Sequence, residues 1–277
     1  MPNTITFSSC FYIIKSKFDP TQYVAWMNNM LSIVYHFNLV LYCDEHSHKY
    51  ITIPEEHKGR IKVVIKPLDH FYNYKYKEQW ILNHENNILL NERSSWELNM
   101  LWSEKIQFVK ETFERKYFET TYYGWCDIGY FRNRYDDTHT THLHDWCSNE
   151  SWIEKMALSH ICYACICNDD RVMNYLTKLI NTVDATTNLP IKPIPPHQNS
   201  IAGGFFIMHK NKIHWWATTY DTMLVRYFEN KYLVKDDQII LANCILSKCN
   251  RDHFILFRQN PQTTKKDNWF MFKRLLN

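Results

Sequence analysis

The chain has 277 residues, 45% apolar and 16% aromatic, which supplies ample surface for a packed core. Charged residues make up 22%, which excludes a globally disordered chain, and a net charge of +3 does not mark a nucleic-acid binder. No apolar run approaches the roughly 20 residues of a membrane helix. The nine cysteines, irregularly spaced behind an N-terminus without the basic start of a secretory signal, predict free thiols and a cytoplasmic location.

A first strand is read over Thr4–Tyr12, then a helix from Thr21 to about Met30. A strand Asn38–Cys43 ends at Asp44, and a strand Ile61–Ile65 ends near Pro67. Short apolar runs separated by helical lengths predict an α/β fold, a mostly parallel sheet flanked by helices. Residues 68–94 are polar and aromatic without a clean period and read as an irregular, lid-like insertion. From Ser95 a helix places Leu98, Leu101, Trp102, Lys105, Phe108, Val109 and Phe113 on one face. Lys105, inside that apolar stripe, is either a lysine that snorkels to water or a cation aimed at a phosphate or sugar. A strand Thr121–Trp125 runs into Cys126-Asp127-Ile128-Gly129, and residues 133–150 form a loop rich in His and Asp.

A helix near Ser151–Met156, a strand His160–Cys165 and a helix about Arg171–Asn181 follow. Four prolines between Asn188 and Ser200 impose an extended loop. The strand Ile201–His209 precedes a helix from about Lys212 to Glu229, and Lys235-Asp236-Asp237-Gln238 opens a short helix through Asn243. With no repeat, low-complexity segment or clear linker, a single domain over residues 1–277 is expected.

Glycine is scarce, and four of the five glycines fall at Gly124, Gly129, Gly203 and Gly204. Such positions are kept where a side chain would block the backbone or a close neighbour. Asp127 follows an apolar strand, where open α/β sheets place ligands; the plainer reading is an acid capping a turn. Gly203-Gly204 is either turn chemistry or a close approach. Of Asp236 and Asp237, only one is needed to cap the following helix, leaving the other, with Gln238, to reach into a pocket over the glycine pair. His139, His142 and His144 with Asp145 have zinc-ligand chemistry but lack a paired second half. Cys162, Cys165 and Cys167 read as buried strand residues rather than a metal or redox site. No Walker loop, G-x-G-x-x-G or G-x-S-x-G is present.

Taken in order, Trp102-Ser103-Glu104-Lys105, Trp125-Cys126-Asp127-Ile128-Gly129-Tyr130-Phe131-Arg132, Ala202-Gly203-Gly204-Phe205-Phe206 and Asp236-Asp237-Gln238 resemble the HtrL/YibB family, regarded as glycosyltransferase-like with a GT-A fold. The later half is also similar to the glycogenin and lipopolysaccharide galactosyltransferase group, through Gly204, Trp215 or Trp216, Asp237-Gln238 and Asn243. The resemblance covers most of the chain. It implies a GT-A-like, Rossmann-type sheet, with a nucleotide-binding half over about residues 1–132 and an acceptor-binding half over about residues 133–277.

The activity implied is transfer of a sugar from a nucleotide-sugar donor, a UDP-sugar, to a carbohydrate or glycoconjugate acceptor, assisted by Mn²⁺ or Mg²⁺ at Asp127. GT-A enzymes hold the ion with Asp-x-Asp, and Asp127-Ile128-Gly129 matches only the first acid. The group's C-terminal histidine motif has no counterpart; His253 is the only histidine after His214. By the same resemblance Phe7, Ser8, Ser9 and Asp44 would line the nucleotide. Trp102, Lys105, Cys126, Asp127, Gly129 and Arg132 would surround the donor, with Lys105 and Arg132 stabilising the leaving diphosphate. Gly203, Gly204 and Phe205 would border the sugar or acceptor, and Asp237, with Asp236 and Gln238, would carry the catalytic step. Asp237 acting as base implies inversion; Gln238 facing the anomeric carbon implies retention. The alternative is a catalytically inactive nucleotide- or carbohydrate-binding module of the same fold, motivated by the missing second acid. A nucleic-acid partner, suggested by the many aromatics and lysines, is opposed by the low net charge. The bias toward Asn, Ile, Lys and Tyr fits the AT-rich genome of a large DNA virus, whose protein would work in the host cytoplasm.

Overall fold

Strands that are apolar at nearly every position need a helical layer on each face of the sheet. The computed structural model, which describes residues 4–133, 138–259 and 266–277, has this arrangement. β1 (Ile5–Phe11) leads to α1 (Pro20–Leu31), β2 (Asn38–Cys43), the short α2 (Glu45–His48) and β3 (Ile61–Ile65). α3 (Lys77–Glu85) and α4 (Trp96–Glu114) precede β4 (Tyr122–Cys126), α5 (Glu150–Ala157), β5 (Ile161–Ala164) and α6 (Asp170–Ile180). β6 (Phe205–His209), α7 (Ile213–Glu229), α8 (Asp237–Leu246), β7 (Phe254–Phe257) and α9 (Met271–Leu275) complete the order.

Among the described residues seven strands form one sheet in the order β3-β2-β1-β4-β6-β5-β7. β6 runs antiparallel to both of its neighbours, and the other pairings are parallel. The period of two divides each strand between two cores. Phe7, Phe11, Cys126 and Phe205 pack with α1, α5 and α9, while Cys10, Trp125 and Phe206 pack with α4, α7 and α8. All nine cysteines are free. No helix among the described residues is long and apolar enough to cross a membrane.

Several expectations change. Residues 68–94 are not a lid: they hold 3₁₀ turns at Leu68–His70 and Tyr72–Tyr76, then α3, whose Trp80 is fully buried. α3 shows no apolar stripe because, of its two buried residues Trp80 and Asn83, the second acts through the polar contacts described below. The glycine pair precedes β6 rather than opening it, and Ile201 makes only an isolated bridge to Cys165. β7 and α9 lie beyond the last element expected from the sequence. Part of the His- and Asp-rich loop, residues 134–137, lies outside the described residues.

The turns after Pro67 are fixed from α4. The buried Glu104 carboxylate accepts from the backbone N–H of Tyr72 at 2.6 Å, and from the backbone and side-chain N–H of Asn73 at 3.0 and 2.7 Å. Burial outweighs these bonds and pushes its carboxyl up to about 7. A folded-state value above the unfolded one gives stability that is complete below about pH 4.5 and lost as pH rises through about 7, on the order of 3 kcal/mol. Glu104→Gln cannot titrate. Denaturant unfolding between pH 4.5 and 7.5 is therefore expected to show a flatter profile for the variant, and parallel profiles would refute this role.

Candidate functional site

β1 pairs with β2 on one side and β4 on the other, so the connections at its carboxyl end diverge. Ligands of open α/β sheets bind at such a divergence. A cavity of about 400 Å³ lies there, reached by Cys10 and Phe11 from β1 and Tyr12 just after it, Asp127, Ile128 and Gly129 after β4, Lys105 from α4, and Asp236–Gln238 at the start of α8. Because β6 is antiparallel, its first residue Phe205 lies opposite Cys126, which brings Gly203-Gly204 under the same edge.

At the floor is a charged cluster. Lys105 points inward rather than out to water: its Nζ lies 2.9 Å from Asp237 Oδ2 and 3.3 Å from Asp127 Oδ1, and donates to Gly203 O at 2.8 Å. Burial disfavours the ammonium, but Asp127 and Asp237 outweigh it and hold the pKa above the ordinary lysine value. Burial lifts Asp237 to about 6, with Lys105 opposing. Asp127 is further oriented by Trp125 Nε1–H at 2.6 Å, and its backbone N–H donates to Gly204 O at 2.8 Å.

The glycines are used for space. A Cβ on Gly203 would stand 2.6 Å from Asp237 Oδ2, and one on Gly204 would stand 2.8 Å from Trp269 Nε1 and 3.1 Å from Asp127 Oδ2. Neither has a positive φ. The acids can approach the chain only because these positions lack side chains.

Asp236 does not cap α8 with its side chain; it pairs with Lys235 at 2.9 Å. Its Oδ1 and Gln238 Oε1 are buried acceptors without a hydrogen-bond partner, on residues that line the cavity. The backbone just before them is clamped by amides. Val234 O accepts from Asn83 and Asn99 at 2.8 and 2.9 Å, Val234 N–H donates to Asn83 Oδ1 at 2.8 Å, and Lys235 O accepts from Asn87 at 2.9 Å. Asn83 of α3, Asn87 just after it and Asn99 of α4 thus fix the chain that leads into α8.

Of the expected residues, Trp102, Lys105, Asp127, Gly129, Arg132, Asp236, Asp237 and Gln238 line the cavity. Others do not. Phe7 is core, packed against Phe37, Trp146 and Phe205; Ser8 bonds Thr112 beneath α4; Ser9 is fully buried. β1 continues to Phe11, so its cavity end is Cys10–Tyr12, three residues further along. Asp44 caps α2 by accepting from Ser47 N–H at 2.6 Å. Cys126 and Phe205 face the other core, where Phe205 stacks on Phe272. Sequence reasoning missed Lys17, Phe18 and Tyr23, and also Asp267, Trp269 and Phe270, which return from near the C-terminus. Lys17 follows β1 on the ligand-bearing side of the sheet, a position that could have flagged it. Its Nζ lies 4.9 Å from the Trp102 ring, and burial lowers its pKa. Cys10 lines the cavity, but burial and then Asp127 keep its thiol protonated, which removes it as a nucleophile.

The residues beside Asp127 do not fit the divalent cation that the resemblance implies. One carboxylate oxygen already meets the Trp125 indole and the Lys105 ammonium. Gly129 offers no carboxylate, and the space its side chain would take is held by Trp26 and Arg132, 2.9 and 3.2 Å from a Cβ there. Each like unit charge at ~4 Å costs about 4 kcal/mol at an effective dielectric of 20, and twice that for a divalent ion. Among the described residues, the one group of three metal-ligand side chains in reach of each other is His36, His144 and Asp145. It joins His144 and Asp145 of the His- and Asp-rich loop, which lacks the paired second half of a zinc site, to a residue after α1, without His139 or His142, and none of the three lines the cavity. No family model matches the chain, and no curated protein matches it.

Proposed function

We propose that the chain is a glycosyltransferase that moves a sugar from a nucleotide-sugar donor, of the UDP-sugar class, to a hydroxyl of a carbohydrate or glycoconjugate acceptor. The observation that carries this reading is the pair of buried, unpartnered acceptors, Asp236 Oδ1 and Gln238 Oε1, beside the Asp127–Lys105–Asp237 cluster in an aromatic-walled cavity. Buried acceptors call for donors, and a sugar offers several hydroxyl donors with apolar faces that pack on rings such as Trp102 and Trp269.

In the reaction the bond from the anomeric carbon to the diphosphate oxygen breaks as the acceptor oxygen bonds to that carbon. The leaving group carries negative charge, met by Arg132 and Lys17. Asp237, ionised above about pH 6, accepts a hydroxyl hydrogen, and Lys105 holds its carboxylate in place. Burying nearly every cysteine as a free thiol suits a reducing cytoplasm. The second reading, an inactive binding module, draws on Gly129 standing where a second acid is expected.

Donor hydrolysis and thermal stabilisation by UDP-sugars test both readings. Wild type is expected to bind and to turn donor over slowly, and Asp127→Ala to bind but lose turnover. Binding without turnover in wild type selects the binding module. No stabilisation by any nucleotide sugar removes the transferase.

A further inference from the structure

We propose that this site carries its own cation for the donor diphosphate: Arg132 stands in the place of the metal ion, so that nucleoside diphosphate binds without metal. The assignment rests on the transferase reading and specifies its donor subsite.

Three observations meet at one point. First, position 129 lacks the acid, and its side-chain space is not open: Nε and Nη2 of Arg132 lie 3.2 Å from where a Cβ would stand. A side chain at 129 would press on Trp26 at 2.9 Å and on the guanidinium at 3.2 Å, so one or both would have to shift to admit it. Second, the guanidinium is anchored. Its Nε–H donates to Gly129 O at 2.6 Å, and its central carbon lies 4.5, 5.3 and 5.6 Å from the rings of Trp26, Phe18 and Phe270. Rings around a guanidinium hold its plane. Third, Arg132 lines the cavity together with Asp127 and Gly129.

A guanidinium presents a planar set of N–H donors that matches two phosphate oxygens at once, and it cannot deprotonate. A divalent cation at the same place would need carboxylate oxygens to hold it. Here Asp127, the acid two residues before Gly129, is turned to Lys105 and Trp125, and phosphate contact passes to Arg132.

The test is calorimetric titration of UDP into the full chain, once in EDTA and once in Mn²⁺. Wild type is expected to give the same Kd in both, within about 3-fold. Arg132→Gln should weaken UDP roughly 30- to 100-fold in EDTA, as loss of a charge-assisted pair predicts, while uridine, which has no phosphate, changes little. Arg132→Lys keeps the charge but not the planar fork and should fall between. It also covers the case in which Arg132→Gln fails to fold. UDP binding by wild type only in Mn²⁺, or unchanged UDP affinity in both variants, overturns the assignment while the transferase reading stands. Failure of UDP, ADP and GDP to bind wild type in either buffer overturns the transferase reading with it.

Discussion

Lys105→Met is expected to lower the unfolding free energy by roughly 3–5 kcal/mol at pH 7.5, the cost of leaving buried charge uncompensated. At this chain length that corresponds to a fall in melting temperature of roughly 6–20 °C. The reason is the cluster's arithmetic. Lys105 Nζ lies 2.9 and 3.3 Å from two carboxylates and bonds Gly203 O at 2.8 Å. Methionine fills the space but leaves Asp127 and Asp237 facing each other without a cation. The loss should shrink as pH falls through about 6, where Asp237 takes up a proton. Adding Asp237→Asn to Lys105→Met should recover part of the stability, because one uncompensated charge disappears. A melting temperature within 3 °C of wild type would show that the cluster does not hold this edge of the sheet together.

Asp237→Asn is expected to reduce turnover by roughly 10²- to 10⁴-fold, the range for removal of a general acid–base group. Stability should move the other way. Asp237 has a folded value of about 6 against an ordinary 3.8, so its contribution is complete below about pH 3.8 and is lost as pH rises through about 6. Asparagine does not carry that loss, and Lys105 keeps Asp127 and Gly203 O as partners. The melting temperature of the variant at pH 7.5 should therefore stay within a few degrees of wild type or exceed it. Wild-type turnover should rise with pH through about 6 and level off above it. A flat profile from pH 4.5 to 7.5, or full activity in Asp237→Asn, would remove the residue from the chemistry.

Much of the first half of the fold was legible. The runs that became β1, β2 and β4 are buried at nearly every position because helices cover both faces, the edge strand β3 is buried only at Ile61, and α4 carries a continuous apolar stripe. Asp127, Lys105 and Asp237 were legible as candidates because each breaks a local rule, an acid or cation where burial is expected. α3 was not legible, since Asn83, Asn87 and the neighbouring Asn99 act through amide bonds to the backbone at 234–235, which leave no apolar period. Placing Phe7, Ser8 and Ser9 at the nucleotide failed for a related reason. Where a strand stops depends on its partners, and β1 stays paired with β2 through Phe11.

The amino-acid sequence by itself determined the α/β class, the helix that buries Lys105 and the choice of glycine at 129, 203 and 204, because these depend on periodicity and side-chain size. Only the tertiary structure decided what the glycines make room for: Asp237 against Gly203, Trp269 and Asp127 against Gly204, and the Arg132 guanidinium against Gly129. It also brought Trp269 and Phe270 to the end of β1. Close approach between residues distant in the chain follows from strand order and register, and those are set by packing summed over the whole sheet rather than by any local pattern.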